Sequence, residues 1–375
     1  MSKFQSRLIT ALFCIYIFGF GIAQFLLPDR TFSEQENRYL TQFQAPTLST
    51  LKDGSFMTSF ENYIIDQFPL RDKWIQMKAQ SERLIGKQEN NKVYLGVDGQ
   101  TLFTQFQSID ASDLQARVEG VNTLADNVSV PVYFSIIPDK TYVWANRLPG
   151  NAPNVDDGST ALQAQALCSD KVHWIDLYQT LKGIDVFYRT DHHWSTMGAY
   201  QAYQTLAQAM NGACTTLDIS PTLVSDGFYG TTWSSSGAGW VRPDEMYTWV
   251  PESGLTGSTT VTWYHTSQPE AGKLYDTSYL EKKDKYSMFL GGNQPLAILR
   301  NPDAQGGRLL VVRDSYSDSL APFLSLDYQE VHLYDLRYNR LSLKQYIEEH
   351  QIDQVLVLYS VSNFTTDNNL ALLKR

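Results

Sequence analysis

The stretch Tyr188-Arg189-Thr190-Asp191-His192-His193-Trp194-Ser195 sets a carboxylate, two imidazoles and an indole side by side just before a helix-forming segment. Asp191 and His193 are two positions apart, so in extended backbone their side chains leave on the same side, and a turn also brings them together. A carboxylate that fixes the tautomer of an imidazole makes a general base. A base needs a proton to take. The run Arg308-Leu309-Leu310-Val311-Val312-Arg313-Asp314-Ser315-Tyr316-Ser317 offers one, a serine at the end of an apolar, strand-like segment. A strand that breaks at Ser315 and resumes as a helix exposes the hydroxyl at the carboxyl edge of a sheet, where open α/β sheets place their chemistry. Ser315 is therefore the candidate nucleophile, His193 the base and Asp191 the carboxylate that steadies the imidazolium, the outcome being an acyl-serine intermediate.

The neighbours of these residues carry further expectations. His192 points differently from His193 in extended backbone and is expected to touch substrate or support the base. Trp194 is either core or an indole platform for a sugar face. Arg313, Tyr316 and Arg337 are candidates for binding a carboxylate or sugar hydroxyl, arginine being the better fork for carboxylate, with surface ion pairing as the plain alternative. Asp191, His192 and His193 are also possible zinc or iron ligands. Adjacent histidines rarely converge on one ion, and no H-x-x-x-H or E-x-x-H spacing accompanies them, so no metal and no cofactor is expected.

Taken together, the Asp191-His192-His193-Trp194 tetrad and the Asp314-Ser315-Tyr316-Ser317 segment resemble the SGNH-hydrolase-like branch that contains the DHHW proteins and the alginate-type polysaccharide O-acetyltransferases. The order of the motifs agrees, Asp and His preceding the nucleophile; Arg313 stands where a glycine is usual. The resemblance extends to Ser33-Glu34-Gln35-Glu36-Asn37-Arg38, Asp66-Gln67-Phe68-Pro69-Leu70-Arg71-Asp72, Ile137-Pro138-Asp139-Lys140 and Asp335-Leu336-Arg337-Tyr338. It implies a three-layer α/β sandwich and an extracytoplasmic, serine-dependent acyl transfer on a carbohydrate. It also points to Asn363, after Val355-Leu356-Val357-Leu358-Tyr359, as an oxyanion donor beside the Ser315 N–H; a loop-capping role is the alternative. An isolated Asp-x-His is more often a loop-stabilising ion pair, and it is the resemblance that turns the balance towards catalysis.

Residues Leu8 to Leu27 contain no charge, and a helix of that length spans roughly 30 Å, one hydrocarbon core. Lys3 and Arg7 precede it, which favours a cytoplasmic amino terminus and an exported remainder. A cleaved signal peptide is the alternative, with Leu8 to Phe20 as apolar region and Gly21-Ile22-Ala23 as cleavage site. The uncleaved anchor is favoured because the apolar run continues through Phe25-Leu26-Leu27. Cys168 and Cys214 are the pair that export could oxidise; two buried thiols are the alternative. A net charge of −10 argues against nucleic acid as a partner.

The sequence divides into a membrane anchor (1–30), a stalk and helical lead-in (31–90), a first half of the α/β domain bearing the Asp-His motif (91–214), a β-rich insertion (215–301) and a second half bearing the serine (302–375). Strands are expected at Val132 to Ile137, Val172 to Tyr178, Leu309 to Val312, Glu330 to Tyr334 and Gln354 to Tyr359, alternating with helices at Leu114 to Ala125, Met197 to Met210 and Leu343 to His350, which predicts a parallel sheet. A hairpin is expected around Asp98-Gly99.

The leading expectation is a membrane-anchored O-acetyltransferase acting on a cell-surface or exported polysaccharide. Acetyl-CoA is cytoplasmic, so the family implies a multi-spanning membrane acyltransferase as acetyl donor. The alternatives are an exported carbohydrate acetylesterase, using the same residues with water as acceptor, and a non-catalytic carbohydrate-binding or assembly protein using Trp233, Trp240, Tyr247, Trp249, Trp263 and Tyr264.

Overall fold

The computed structural model describes residues 3–265 and 268–375 and divides into two compact units, Met1–Asn90 with Trp233–Trp240, and Asn91–Thr232 with Val241–Arg375. In the first, the uncharged run forms one continuous helix, α1 (Lys3–Leu26), with a mean hydropathy of 2.0. At about 1.5 Å per residue its 24 residues are long enough to cross a bilayer. Two shorter helices, α2 (Ser55–Asp66) and α3 (Arg71–Leu84), are separated at Pro69, where a proline cannot continue the preceding helix. Two of the motif segments meet here. Asp66 accepts from both guanidinium nitrogens of Arg38, at 2.5 and 2.9 Å, Arg71 pairs with Glu36, and Gln76 donates to Gln35 at 2.8 Å.

The second unit is built on an eight-stranded sheet. Its strands in chain order are β1 (Val132–Ile137), β2 (Val172–Trp174), β3 (Thr260–Trp263), β4 (Glu270–Gly272), β5 (Leu296–Arg300), β6 (Gly306–Arg313), β7 (Tyr328–Tyr334) and β8 (Gln354–Ser360), and their spatial order is β4-β3-β5-β7-β6-β8-β1-β2. The five strands from β7 to β2 are parallel, as the alternation predicts. The remaining three are antiparallel, so the sheet is mixed. All three come from the segment expected as an insertion, which here extends the main sheet from its edge strand β7.

The central strands read as unbroken apolar runs because both faces are covered. Leu309 and Val311 enter one core with Leu356 and Leu358, while Leu310 and Val312 enter the other with Val355 and Val357, the period-2 alternation of a sheet sandwiched between two helical layers. Helices α4 (Ala111–Asn127), α7 (Leu343–Glu349) and α8 (Val361–Thr366) contribute to the second core; α5 (Thr196–Asn211) and α6 (Tyr316–Leu324) contribute to the first. α5 starts at the capping hydroxyl of Ser195 and stops at Gly212, whose φ of 74° is the left-handed conformation that ends many helices. The Asp98-Gly99 turn joins two short antiparallel strands, Val93–Leu95 and Leu102–Thr104. Cys14, Cys168 and Cys214 are unpaired thiols.

Candidate active site

Four segments leave the carboxyl ends of adjacent parallel strands: Pro138-Asp139-Lys140 after β1, Asp314-Ser315 after β6, Asp335-Leu336-Arg337 after β7 and the start of α8 after β8. Ser315 is the N-cap of α6. From Leu309 to Leu326 every residue is buried except Ser315, so the strand-to-helix turn presents that one hydroxyl and hides its neighbours. Asp314 fixes the turn. Its Oδ1 accepts from the Tyr316 N–H at 3.1 Å, and its Oδ2 accepts from the N–H and hydroxyl of Ser360 at 2.8 and 2.7 Å and from the Asn363 amide at 2.8 Å.

The Asp-His segment is a loop closed on itself by Ser195 N–H to Val186 carbonyl at 2.7 Å and Tyr188 N–H to His193 carbonyl at 3.2 Å. Within it, Asp191 Oδ1 lies 2.6 Å from His193 Nδ1, and His193 Nε2 lies 2.8 Å from Ser315 Oγ. The second carboxylate oxygen accepts from the Thr231 N–H at 2.7 Å and its hydroxyl at 3.1 Å. Gly230 allows this approach, since a Cβ there would fall 2.2 Å from the Asp191 side chain. Burial opposes the charge on Asp191, but the two neighbouring imidazoles and the hydrogen bonds from His193 outweigh it and hold the carboxyl well below its usual range. The Tyr286 ring lies flat against the His193 imidazole, with centroids 3.8 Å apart at 8°.

Two buried charges hold the loop from behind. Lys140 Nζ donates to the carbonyls of Tyr188, Arg189 and Asp191 at 3.0, 3.2 and 2.6 Å. Asp244 accepts from the N–H groups of Arg189 and Thr190 at 3.1 and 2.8 Å and from the Thr190 hydroxyl at 2.6 Å. Burial pushes Lys140 down to about 8, against the pull of Asp244, Asp191, Asp139 and Asp98.

The other expected contacts fall out differently. Trp194 is fully buried, its indole N–H donating to the Tyr316 carbonyl and the Ser319 hydroxyl at 3.0 Å each, so it is core and not a sugar platform. Arg313 is fully buried too. It forms an ion pair with Asp318 at 2.9 Å beneath α6, which removes it from any substrate-facing role. Tyr316 is buried and spends its hydroxyl on the His192 carbonyl at 2.5 Å, bracing the loop from the other side. Arg337 is part-exposed and anchored to Asp335 at 2.6 Å. Its Nη2 and Arg313 Nη1 approach the same Asn293 Oδ1, at 3.4 and 3.2 Å. His192 keeps 38% of its side chain exposed, with Nδ1 2.9 Å from the Thr231 hydroxyl. Asn363 gives one amide hydrogen to Asp314, and an amide nitrogen carries two.

Asp191, His192 and His193 bring ligand atoms within 4.8 Å of one another. Both oxygens of Asp191 and both ring nitrogens of His193 already have protein partners, so a cation would have to displace them. Of the expected aromatic surface, Trp249 packs on Tyr200 and Phe323, Trp263 sits in β3, and Trp240 lies under the Arg83 guanidinium.

Thr231, Asp244 and Tyr286 were not singled out by sequence. All three come from residues 215–301, which carry no motif of their own, and they act by proximity alone.

Residues 102–225 match the SGNH hydrolase-like domain of the acetyltransferase AlgX. The chain is 25% identical over 185 residues to a probable alginate O-acetylase AlgJ of Pseudomonas syringae pv. tomato, the match covering 46% of this chain and 47% of that protein. It thus spans about half the length of that curated relative. The fold is similar to that of a DHHW family protein from Eubacterium siraeum, with a TM-score of 0.63, 21% identity, and coverage of 76% of this chain and 95% of the other. Bacillus cereus PatB1 with a sulfonyl adduct superimposes with a TM-score of 0.62, 20% identity, and coverage of 76% and 100%. Residues 102–225 are thus similar to an SGNH hydrolase-like acetyltransferase domain, and the fold is similar to that of a DHHW family protein.

Proposed function

We propose that the protein is a serine-dependent O-acetyltransferase acting outside the cell membrane on a cell-surface or exported polysaccharide, held to the membrane by α1. The observation that carries the reading is the linear relay from Asp191 through both nitrogens of His193 to Ser315, with spacings of 2.6 and 2.8 Å. Asp191 fixes the tautomer that leaves Nε2 free of its proton, so Nε2 accepts the Ser315 proton as Oγ attacks the acetyl carbonyl. The tetrahedral oxyanion forms beside the Ser315 N–H and the Asn363 amide, whose orientation Asp314 sets. Collapse releases the donor group, which takes the proton from His193, and leaves acetyl-Ser315. A sugar hydroxyl, deprotonated by the same nitrogen, then attacks and restores the serine. The donor in this reading is a multi-spanning membrane acyltransferase that delivers the acetyl group across the bilayer.

The likeness to a probable alginate O-acetylase supports a polysaccharide acceptor. Water in place of the sugar would make the protein an acetylesterase with the same residues. The test is to incubate the full chain with an activated acetyl ester, with and without an oligosaccharide, and follow ester loss and acetylated sugar by mass spectrometry. Acetylated oligosaccharide dependent on Ser315 is the expected result. Ester hydrolysis unaffected by acceptor would favour the esterase, and equal turnover by Ser315→Ala would sink the mechanism.

A further inference from the structure

Large apolar side chains are exposed unevenly. Ten of them fall between Tyr39 and Ile85, against eleven in the whole stretch from Val97 to Leu341. Patches of this kind on a protein surface mark a partner or a membrane. Part of this one is ordered by periodicity. Met77 and Leu84 stand seven residues apart, two helical turns, and Trp74 precedes Met77 by three, so α3 carries an apolar stripe along one face, with Leu70 just before its first residue. Leu70, Met77 and Leu84 are 66%, 56% and 82% exposed, and Ile85 continues the stripe past the helix end.

The opposite face of α3 is occupied within the same unit. Gly237 approaches Ile75 and Ala79, Gly239 approaches Gln76, and Arg83 lies over the Trp240 ring at 5.0 Å. The stripe therefore lies on the side of α3 away from Trp233–Trp240. Its first turn touches α1: the Trp74 ring is 5.8 Å from Phe20 and 6.4 Å from Tyr16, and Phe68 stacks on Phe20 at 5.5 Å and 4°. Phe20 and Tyr16 lie seven and eleven residues before the end of the uncharged run at Leu27, depths of about 10 and 16 Å along the helix. A helix lying in the plane of a bilayer buries its apolar face by about 5–10 Å, and tryptophan concentrates at that level. The Trp74 indole N–H is satisfied by the Pro69 carbonyl at 3.2 Å, so the ring can enter an apolar layer without losing a hydrogen bond to water. Lys73 and Lys78 flank the stripe in a chain whose net charge is −10.

We propose that α3 lies on the outer surface of the bilayer, its Leu70-Trp74-Met77-Leu84 face seated among lipid headgroups and upper acyl chains. This rests on the reading that α1 crosses that bilayer. The occupant is lipid, continuous with the lipid around α1. Docked in this way, α3 is a foot that restrains the chain beside its anchor.

The test uses the full chain in nanodiscs of phosphatidylcholine with phosphatidylglycerol, after Cys14→Ala, Cys168→Ala and Cys214→Ala. A nitroxide is attached in turn through Met77→Cys, Leu84→Cys, Ile17→Cys in α1 and Lys344→Cys at an exposed position of α7, and its collisions with oxygen and with a water-soluble nickel complex are measured. Expected are oxygen-favoured collisions at positions 77 and 84, with nickel collisions reduced several-fold relative to position 344. Nickel access at 84 equal to that at 344, with position 17 in lipid, overturns the foot while leaving the anchor intact. Protection from both reagents with an immobilised spectrum means that a protein surface covers the stripe, and this also overturns the proposal. Nickel access at 17 overturns the spanning reading and the foot together. Retained ester turnover shows that each labelled variant is folded.

Discussion

The ammonium of Lys140 donates to the main-chain carbonyl of Asp191 at 2.6 Å, from the turn after β1 to the loop that carries the base. A buried cation between three carbonyls fixes backbone, and the backbone fixes the angle at which Asp191 meets His193. Lys140→Met would take the ammonium donor from the Tyr188 and Asp191 carbonyls, while the Arg189 carbonyl keeps the Leu102 N–H at 2.9 Å, and would loosen the loop. A displacement of about 1 Å at a reacting group can cost 10²-fold. We expect kcat to fall roughly 10- to 100-fold with acceptor KM little changed, and stability to fall by about 2–4 kcal/mol. Because burial brings this amine down to about 8, its charged fraction falls as pH rises through that value, and wild-type kcat should show an alkaline limb there. A kcat profile flat to pH 10 would remove this positioning role.

Ser315→Ala and His193→Ala should each reduce ester turnover by about 10³- to 10⁶-fold. The doubly substituted chain should be no worse than either single variant, because the residues work as one unit. Asp191→Asn should cost about 10³- to 10⁴-fold by favouring the wrong imidazole tautomer. Steady-state rates check all four, and circular dichroism checks that the serine variant keeps its fold. Additive losses in the double variant would mean that the two residues act separately.

Asn363→Ala should lower kcat by about 10²- to 10³-fold with little change in KM, the behaviour of a group that acts on developing negative charge. If Asn363 only caps its loop, the same change would lower the melting temperature and leave kcat intact. Measuring both quantities on one preparation separates the two roles.

Asp157 offers a pH test of stability away from the catalytic relay. Its Oδ2 accepts from the Asp139 N–H at 2.9 Å and the Tyr178 hydroxyl at 3.2 Å, while Oδ1 is buried without a hydrogen-bond partner. Burial, with the nearby charge of Asp139 adding to it, raises this carboxyl to about 7. The folded state thus holds the proton more tightly than the unfolded state, so the stabilisation is full below about pH 4 and is lost as pH rises through 7. Asp157→Asn keeps the acceptor and removes the titration. It should be near-neutral at pH 4 and more stable than wild type at pH 8, by on the order of 2–4 kcal/mol. Chemical denaturation at the two pH values measures this, and an equal effect at both would contradict it.

What the sequence determined by itself was local or periodic. Apolar runs and their alternation identified β1, β6, β7 and β8; helical spacing from Met197 to Met210 identified α5; and the uncharged stretch identified α1. Asp191, His193 and Ser315 were singled out from short patterns together with a family resemblance, and the structure brings the three side chains together. Tertiary structure decided the rest. Ser315 and His193 are 122 positions apart, and only the sheet brings them within 2.8 Å. Trp194 and Arg313 looked like substrate contacts because their types suit sugars and carboxylates, and packing consumed both in the layer beneath α6. Thr231, Asp244 and Tyr286 bear no motif, since a group that works by steadying another needs only to be near it. A β-like run from Thr259 to His265 was legible in the insertion, but its place on the main sheet was not, because a short strand's pairing is decided by the edge it joins rather than by its own side-chain pattern.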